Sequence, residues 1–218
     1  VNINYTYPNT TKKILNNINV KIPFGNSIGI YGDSGVGKST LLNIFLQLLK
    51  PQSGKIILDG EDTVNFTRQW QNIMGYVPQN VYLNDDTLIN NIALGVTDNQ
   101  INIKKINEIV KKVKLDKFVY SLKEGFQTKV GEFGDRISGG QRQRIGIARA
   151  LYNDPQILIL DEYTNSLDKE TEEEIVKEVN LLKYNKTIIT ITHKSSSLKF
   201  CDSIYKLTEK EGLVQNEL

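Results

Sequence analysis

The chain has a single cysteine, Cys201, and a single histidine, His193. One cysteine excludes an internal disulfide framework and suits a reducing compartment. One histidine excludes a multi-histidine metal site. Long apolar runs are missing: none approaches the roughly 20 residues that a helix needs to span a bilayer. No secretory signal pattern opens the chain. Excess charge is missing too, with 27 Lys and Arg against 25 Asp and Glu, a formal net charge of +2. Nothing in that balance demands a nucleic-acid partner. Internal repeats and low-complexity tracts are absent from the sequence. What remains is 218 residues, 39% hydrophobic and 24% charged, ordinary proportions for one folded domain with a substantial core. The sequence opens at Val1, already strand-like, which suggests a domain cut from a longer protein.

The most informative stretch is Gly32, Asp33, Ser34, Gly35, Val36, Gly37, Lys38, Ser39 and Thr40, which fits G-x-x-x-x-G-K-[ST]. Its context gives it weight. Ser27 to Tyr31 reads as a short buried strand, and Leu41 to Leu49 as a helix apolar on nearly all sides. Glycines let the backbone wrap an anion with successive N–H groups pointing inward, and the helix N-terminus adds partial positive charge. Lys38 is placed to reach the β- and γ-phosphates of a nucleotide, and the Ser39 hydroxyl to hold Mg²⁺.

Around this loop the pattern is mixed. Val1–Tyr7 and Ile18–Ile22 are predicted strands around the turn Pro8-Asn9-Thr10, and Lys55–Leu58 and Gly75–Val77 are two more. From about Thr87 to Tyr152 the periodicity becomes helical. Ile103, Ile106, Val110 and Val113 mark one face, and Lys104, Lys105, Lys111 and Lys112 another. Those lysines suit either a solvated surface or contact with a membrane or nucleic acid; no aromatics interleave them and acids balance them. After Asn153-Asp154-Pro155, Ile157–Leu160 is a continuous apolar strand of the kind found inside parallel sheets. A helical stripe from Asp168 and a second apolar strand, Thr187–Thr192, follow; Ser203–Leu207 and Leu213–Val214 are the last strands. The order is an α/β core, a helical insertion, and a return to the core.

Four further groups carry chemistry. Asp161 and Glu162 end an apolar strand, where ligands of parallel sheets gather. Asp161 is placed to partner Mg²⁺, and Glu162 to polarise a water for attack on the γ-phosphate. His193 closes the next apolar strand and is placed to contact the γ-phosphate or to orient Glu162 and the water. Gln79, after Pro78, suits Mg²⁺, the attacking water, or a simple loop cap. Ser138, Gly139, Gly140 and Gln141 open a helix as a second N-terminus built like a phosphate site. It lies in the helical insertion, apart from the first loop, so if both grip one γ-phosphate the second comes from another copy of the chain. Arg142, Arg144 and Arg149 suit either phosphate contact or the commoner salt-bridged or solvated state.

Taken in order, these residues resemble the nucleotide-binding domain of ATP-binding-cassette (ABC) transporters. The resemblance implies that Tyr7 stacks on adenine, that Gly32–Thr40 is the Walker A loop, and that Gln79 is the Q-loop. It further implies that Ser138, Gly139, Gly140 and Gln141 are the family signature and Ile157–Glu162 Walker B with its catalytic glutamate. Ser166-Leu167-Asp168 would be the D-loop, with Asp168 at the nucleotide, and His193 the switch histidine. Expected catalytic groups are Glu162, His193, Gln79 and Lys38; expected Mg²⁺ ligands are Ser39, Gln79 and Asp161. The implied fold is a P-loop NTPase (RecA-like) α/β core with an antiparallel β-subdomain and an inserted α-helical subdomain. Residues 1–79 and 154–218 would form the core, and 80–153 the helical subdomain. ATP and Mg²⁺ are the implied cofactors, ATP being favoured over GTP because no Asn-Lys-x-Asp sequence is present.

The implied partners are a second copy, arranged head to tail, and a transmembrane domain fused upstream. The implied location is the cytoplasmic face of a membrane, in all expectation a bacterial inner membrane. Lys129–Gly134 resembles the X-loop of exporter-type members, whose cargo includes lipids, lipid-linked saccharides and peptides. Departures are Ile137 for the signature leucine, Tyr163 and Asn165 after the Walker B glutamate, Asn84 for an exporter phenylalanine, and Lys194 for an arginine. None removes a catalytic group. The rival reading is a soluble ABC-type ATPase of DNA repair, chromosome organisation or translation. The first two kinds carry long coiled-coil insertions, and no such heptad run exists here; the third normally holds two such domains in one chain.

Overall fold

The computed structural model describes residues 1–131, 137–165 and 167–216. The X-loop-like residues Glu132, Phe133 and Gly134, and Ser166 of the D-loop-like triplet, lie outside the described residues.

Strands β1 (Ile3–Thr6) and β2 (Lys13–Ile18) form an antiparallel pair, with Ile3 opposite Ile18 and Tyr5 opposite Leu15. Then come β3 (Ser27–Tyr31), helix α1 (Lys38–Phe45), and a small antiparallel pair, β4 (Ile57–Leu58) with β5 (Glu61–Asp62). Helix α2 (Thr67–Asn72) and β6 (Met74–Val77) follow. Among the described residues four α-helices separate β6 from the next strand: α3 (Leu88–Ile92), α4 (Ile103–Lys112), α5 (Asp116–Ser121) and α6 (Gly139–Tyr152). The chain ends with β7 (Ile157–Asp161), α7 (Lys169–Asn180), β8 (Thr187–Ile191), α8 (Ser195–Leu198), β9 (Ser203–Thr208) and β10 (Gly212–Asn216).

Six strands form the main sheet in the order β10-β9-β3-β8-β7-β6, with β10 antiparallel to β9 and every other pair parallel. Strand β8 therefore sits between β3 and β7, and the chain leaves β3, β6, β7 and β8 at one edge of the sheet. Alternation along each strand sends side chains to two faces, and each face has its own core. Ile30, Ile159, Ile189 and Ile191 pack with Leu41, Leu42 and Ile44 of α1 and with β1 and β2. Leu158, Leu160 and Ile188 pack with α3, α4, α6 and α7. Helices α1 and α6 thus cover opposite faces of the same sheet.

Three local expectations are corrected. The second strand is Lys13–Ile18, not Ile18–Ile22, because pairing with β1 places Leu15 and Ile18 in the core. Val20 and Ile22 are only partly buried and pack on that core from irregular chain. Helix α1 stops at Phe45 rather than Leu49. Gln47 takes a left-handed φ of 54°, its side-chain amide donates to Thr63 Oγ1, and Leu48 is turned out to solvent. On α4 the buried face is Ile106, Ile109, Val110 and Val113, while Ile103 is exposed. Lys104, Lys111 and Lys112 are exposed, and Lys105 lies over the Tyr152 ring at 5.4 Å.

Arg144 and Arg149 of α6 hold the fold together. Arg149 donates to the carbonyl oxygens of Asn91 (2.8 Å) and Tyr82 (2.9 Å). Buried Arg144 donates to the Val113 carbonyl at 3.1 Å and pairs with Glu174 at 2.9 Å and Glu178 at 3.0 Å. Burial pushes the Glu178 carboxyl above its ordinary range, and Arg144 pulls it back. Replacing Arg144 by alanine would leave a buried carboxylate with its counter-charge removed, which costs about 3–5 kcal/mol. That loss is expected as a lower urea midpoint for Arg144→Ala, read by circular dichroism.

Candidate active site

The glycine loop joins β3 to α1. Gly37 stands at the N-terminus of α1 with φ of 108°, and a Cβ there would lie 2.8 Å from Ile14 Cγ2. Gly35, also left-handed at φ 78°, has open space where a Cβ would project. Backbone conformation therefore demands glycine at both positions. The first bond of the helix runs from the Leu41 N–H to the Gly37 carbonyl at 2.8 Å, so the N–H groups of Lys38, Ser39 and Thr40 precede the ladder. No side chain caps α1 and no acid lies in its first turn. A helix end open in this way can take an external anion.

Gly32, Val36, Gly37, Lys38 and Thr40 are buried; Asp33, Ser34, Gly35 and Ser39 are exposed. The Lys38 ammonium folds back over the loop, donating to the carbonyls of Gly32 and Asp33, both at 2.9 Å. Burial lowers its pKa, and the charges of Glu162, Asp161 and Asp33 oppose that shift. Lysine and both acids are therefore near enough to feel one another's charge. Tyr7, just past β1, is part exposed; its hydroxyl lies 3.1 Å from Thr40 Oγ1, and its ring meets Tyr5 edge-on at 5.1 Å.

Asp161 ends β7. Burial, then the charge of Glu162, raises its carboxyl pKa, while the Tyr76 hydroxyl, donating at 3.4 Å, and Lys38 pull it down. Tyr76, on neighbouring β6, is itself pushed up to about 12 by burial and by Asp161. Glu162 turns the chain out of β7 with a left-handed φ of 45°, its N–H donating to the Ile191 carbonyl at 2.7 Å. That bond aligns it with the end of β8, from which His193 emerges. His193 Nε2 lies 2.8 Å from Glu162 Oε1. Gln79 is exposed two residues beyond β6, at the same sheet edge.

The second glycine pair lies elsewhere. Ser138 Oγ accepts from the Gln141 N–H at 3.3 Å, and Gln141 Oε1 accepts from the Ser138 N–H at 3.0 Å, a closed capping box on α6. A Cβ on Gly140 would come within 2.7 Å of Thr171 Cγ2, so this end of α6 rests on the start of α7. Asp168 caps α7, accepting from the Thr171 N–H at 3.0 Å, and that bond holds its carboxyl below the usual range. The structure thus brings Lys38, Asp161 and Glu162 into electrostatic reach of one another, with His193 on Glu162, and sets Ser138, Gly139, Gly140 and Gln141 at the start of the helix of the opposite face. Sequence reading missed two neighbours: Tyr76 on Asp161, and Asn165, whose Nδ2 donates to Glu162 Oε2 at 2.5 Å. Asn165 stood out in the sequence as an unusual residue, but its partner is set by a turn that the pattern does not reveal.

A glycine loop between a parallel strand and a helix, with an acidic pair ending a strand two places along, defines a P-loop NTPase. Comparison narrows the class. The family described as ABC transporter matches residues 15–165, and this chain belongs to that family. It is 38% identical over 214 residues to ABC transporter B family member 6 of Dictyostelium discoideum, covering 94% of this chain and 31% of that protein. It is 40% identical over 204 residues to the ATP-dependent lipid A-core flippase of Escherichia coli K12, covering 93% of this chain and 35% of the flippase. A bacterial Atm1-family ABC exporter solved with ATP bound aligns with a TM-score of 0.89 at 32% identity, over 99% of this chain and 37% of that one. The chain spans about a third of the length of these relatives.

Proposed function

We propose that this domain hydrolyses ATP in a head-to-tail pair of copies and thereby drives export across a membrane. The observation that carries the reading is the placement of α1 and α6 on opposite faces of one sheet. Two helix ends suited to phosphate belong to one chain, yet their helices cover opposite faces of one sheet. A second copy would bring its Ser138, Gly139, Gly140 and Gln141 to the triphosphate held by the first copy's Gly32–Thr40 loop. The domain would then comprise a core of residues 1–79 and 154–218 and a signature-bearing helical part, 80–153.

Within the site each group has a role that its chemistry supports. Loop N–H groups and Lys38 hold the phosphates, and Tyr7 offers its exposed ring to the adenine. Glu162 accepts the proton of the attacking water, and His193, bound to the same carboxylate, orients it. Ser39, Gln79 and Asp161 supply only oxygen donors, a set that fits the hard cation Mg²⁺. Among the described residues no group of three or more His, Cys, Asp or Glu could cage a metal, so phosphate oxygens and water would complete its shell. When bound, the ion neutralises charge on the phosphates. Asp168, beside the start of α7, would meet the nucleotide across the copy interface.

Among the described residues no helix is long and apolar enough to cross a membrane. Likeness to membrane exporters supports an engine that acts on a transmembrane partner from the cytoplasmic face, in a bacterial inner membrane. The flippase relative favours a lipid cargo, with lipid-linked saccharides and peptides as the other classes. Identity to transporter relatives over 93–94% of the chain favours this reading over a soluble ABC ATPase of DNA repair or translation. Measuring ATP turnover per molecule against protein concentration tests the pair requirement. Specific activity is expected to fall on dilution as copies separate; full activity in strictly monomeric solution would refute the shared site.

A further inference from the structure

The carboxylate of Glu162 is held at both oxygens. Its Oε1 lies 2.8 Å from His193 Nε2, and its Oε2 accepts from Asn165 Nδ2 at 2.5 Å. The backbone supports the second contact, because the Asn165 N–H donates to the Glu162 carbonyl at 3.0 Å and closes the turn over residues 162–165. The Glu162 N–H is in turn fixed to Ile191 at the end of β8. A glutamate side chain has three rotatable torsions, and a base that samples them freely spends little time aimed at its water. Here the main chain is pinned to one strand and the carboxylate to two side chains of different chemistry. A carboxylate offers about four lone-pair directions, so one donor on each oxygen still leaves places for a water to donate.

We propose that Asn165 is a positioning residue for hydrolysis, its side-chain amide holding Glu162 Oε2 so that the carboxylate is set before nucleotide arrives. This rests on the reading of Glu162 as the base. Asn165 is exposed, and its described contacts reach Glu162 rather than the glycine loop. Its effect therefore falls on turnover and not on ATP affinity.

The test is steady-state ATP hydrolysis by the chain and three variants, with thermal midpoints measured in parallel. Asn165→Ala is expected to lower kcat about tenfold with KM unchanged and with an unshifted midpoint. Asn165→Asp keeps the shape but replaces the donor with a like charge, and is expected to fall below Asn165→Ala. In a Glu162→Gln background, Asn165→Ala is expected to cause no further loss, because its effect passes through the carboxylate. Unchanged or raised kcat in Asn165→Ala, Asn165→Asp at or above Asn165→Ala, or a further loss in the Glu162→Gln background would each overturn the role of Asn165. Wild-type turnover in Glu162→Gln alone would overturn the base assignment and this proposal with it. Near-zero turnover there beside a fully active Asn165→Ala would overturn only the positioning role.

Discussion

Glu162→Gln is expected to cut ATP turnover by about a hundredfold or more while leaving nucleotide binding intact. General-base assistance contributes about 10²–10⁴-fold, and glutamine keeps the size and one oxygen of the side chain but cannot take a proton. The surroundings favour a clean result. His193 and Asn165 present nitrogen groups to Glu162, and its backbone anchor on Ile191 does not depend on the side chain. Binding is expected to be retained because the groups proposed to hold the phosphates, Lys38 and the N–H groups opening α1, are untouched. Retained ATP with stalled hydrolysis should trap the closed pair of copies. Single-turnover assays and size-exclusion chromatography with ATP would check both halves, and unchanged turnover would remove Glu162 from the chemistry.

Lys38→Ala is expected to act one step earlier, weakening ATP binding by at least about tenfold. A charge-assisted hydrogen bond contributes about 1.5–3 kcal/mol, and each 1.4 kcal/mol is a factor of ten in affinity. The ammonium bridges the carbonyls of Gly32 and Asp33, each 2.9 Å away, so its loss also removes the clasp that shapes the loop. Fluorescent-nucleotide titration gives the affinity, and a denaturant melt separates a binding defect from unfolding. Here, unlike Glu162→Gln, saturating ATP should be hard to reach. Equal affinity in the variant and the native chain would refute the role of Lys38.

Much of the site is legible in the sequence because its parts are local. The glycines at 35 and 37 need a left-handed backbone, and no other residue type takes φ of 78° and 108° as readily. The apolar run before Asp161 could only be an internal strand, and β7 does lie between β6 and β8. What the sequence hides is pairing between distant segments. Ile18–Ile22 has a strand's composition, yet the strand is Lys13–Ile18, because β1 chooses its partner by where Leu15 and Ile18 land in the core. Leu46–Leu49 continues an apolar run, and the helix nevertheless ends because Gln47 finds Thr63. Asn91 looks like an ordinary polar residue of a short helix. It is fully buried, giving bonds to the nearby carbonyls of Asn84 and Thr87 and taking one from the distant Arg149, a contact that only tertiary structure fixes.

The reciprocal bonds between Ser138 and Gln141 have a further consequence. In the lone chain the first turn of α6 is already wound, its backbone frozen by its own side chains. If a second copy docks on this end of α6 as proposed, a surface that starts rigid loses little conformational freedom on its arrival. Association speed should then be set by how often two molecules meet in the right orientation, with no wait for this end of the helix to form.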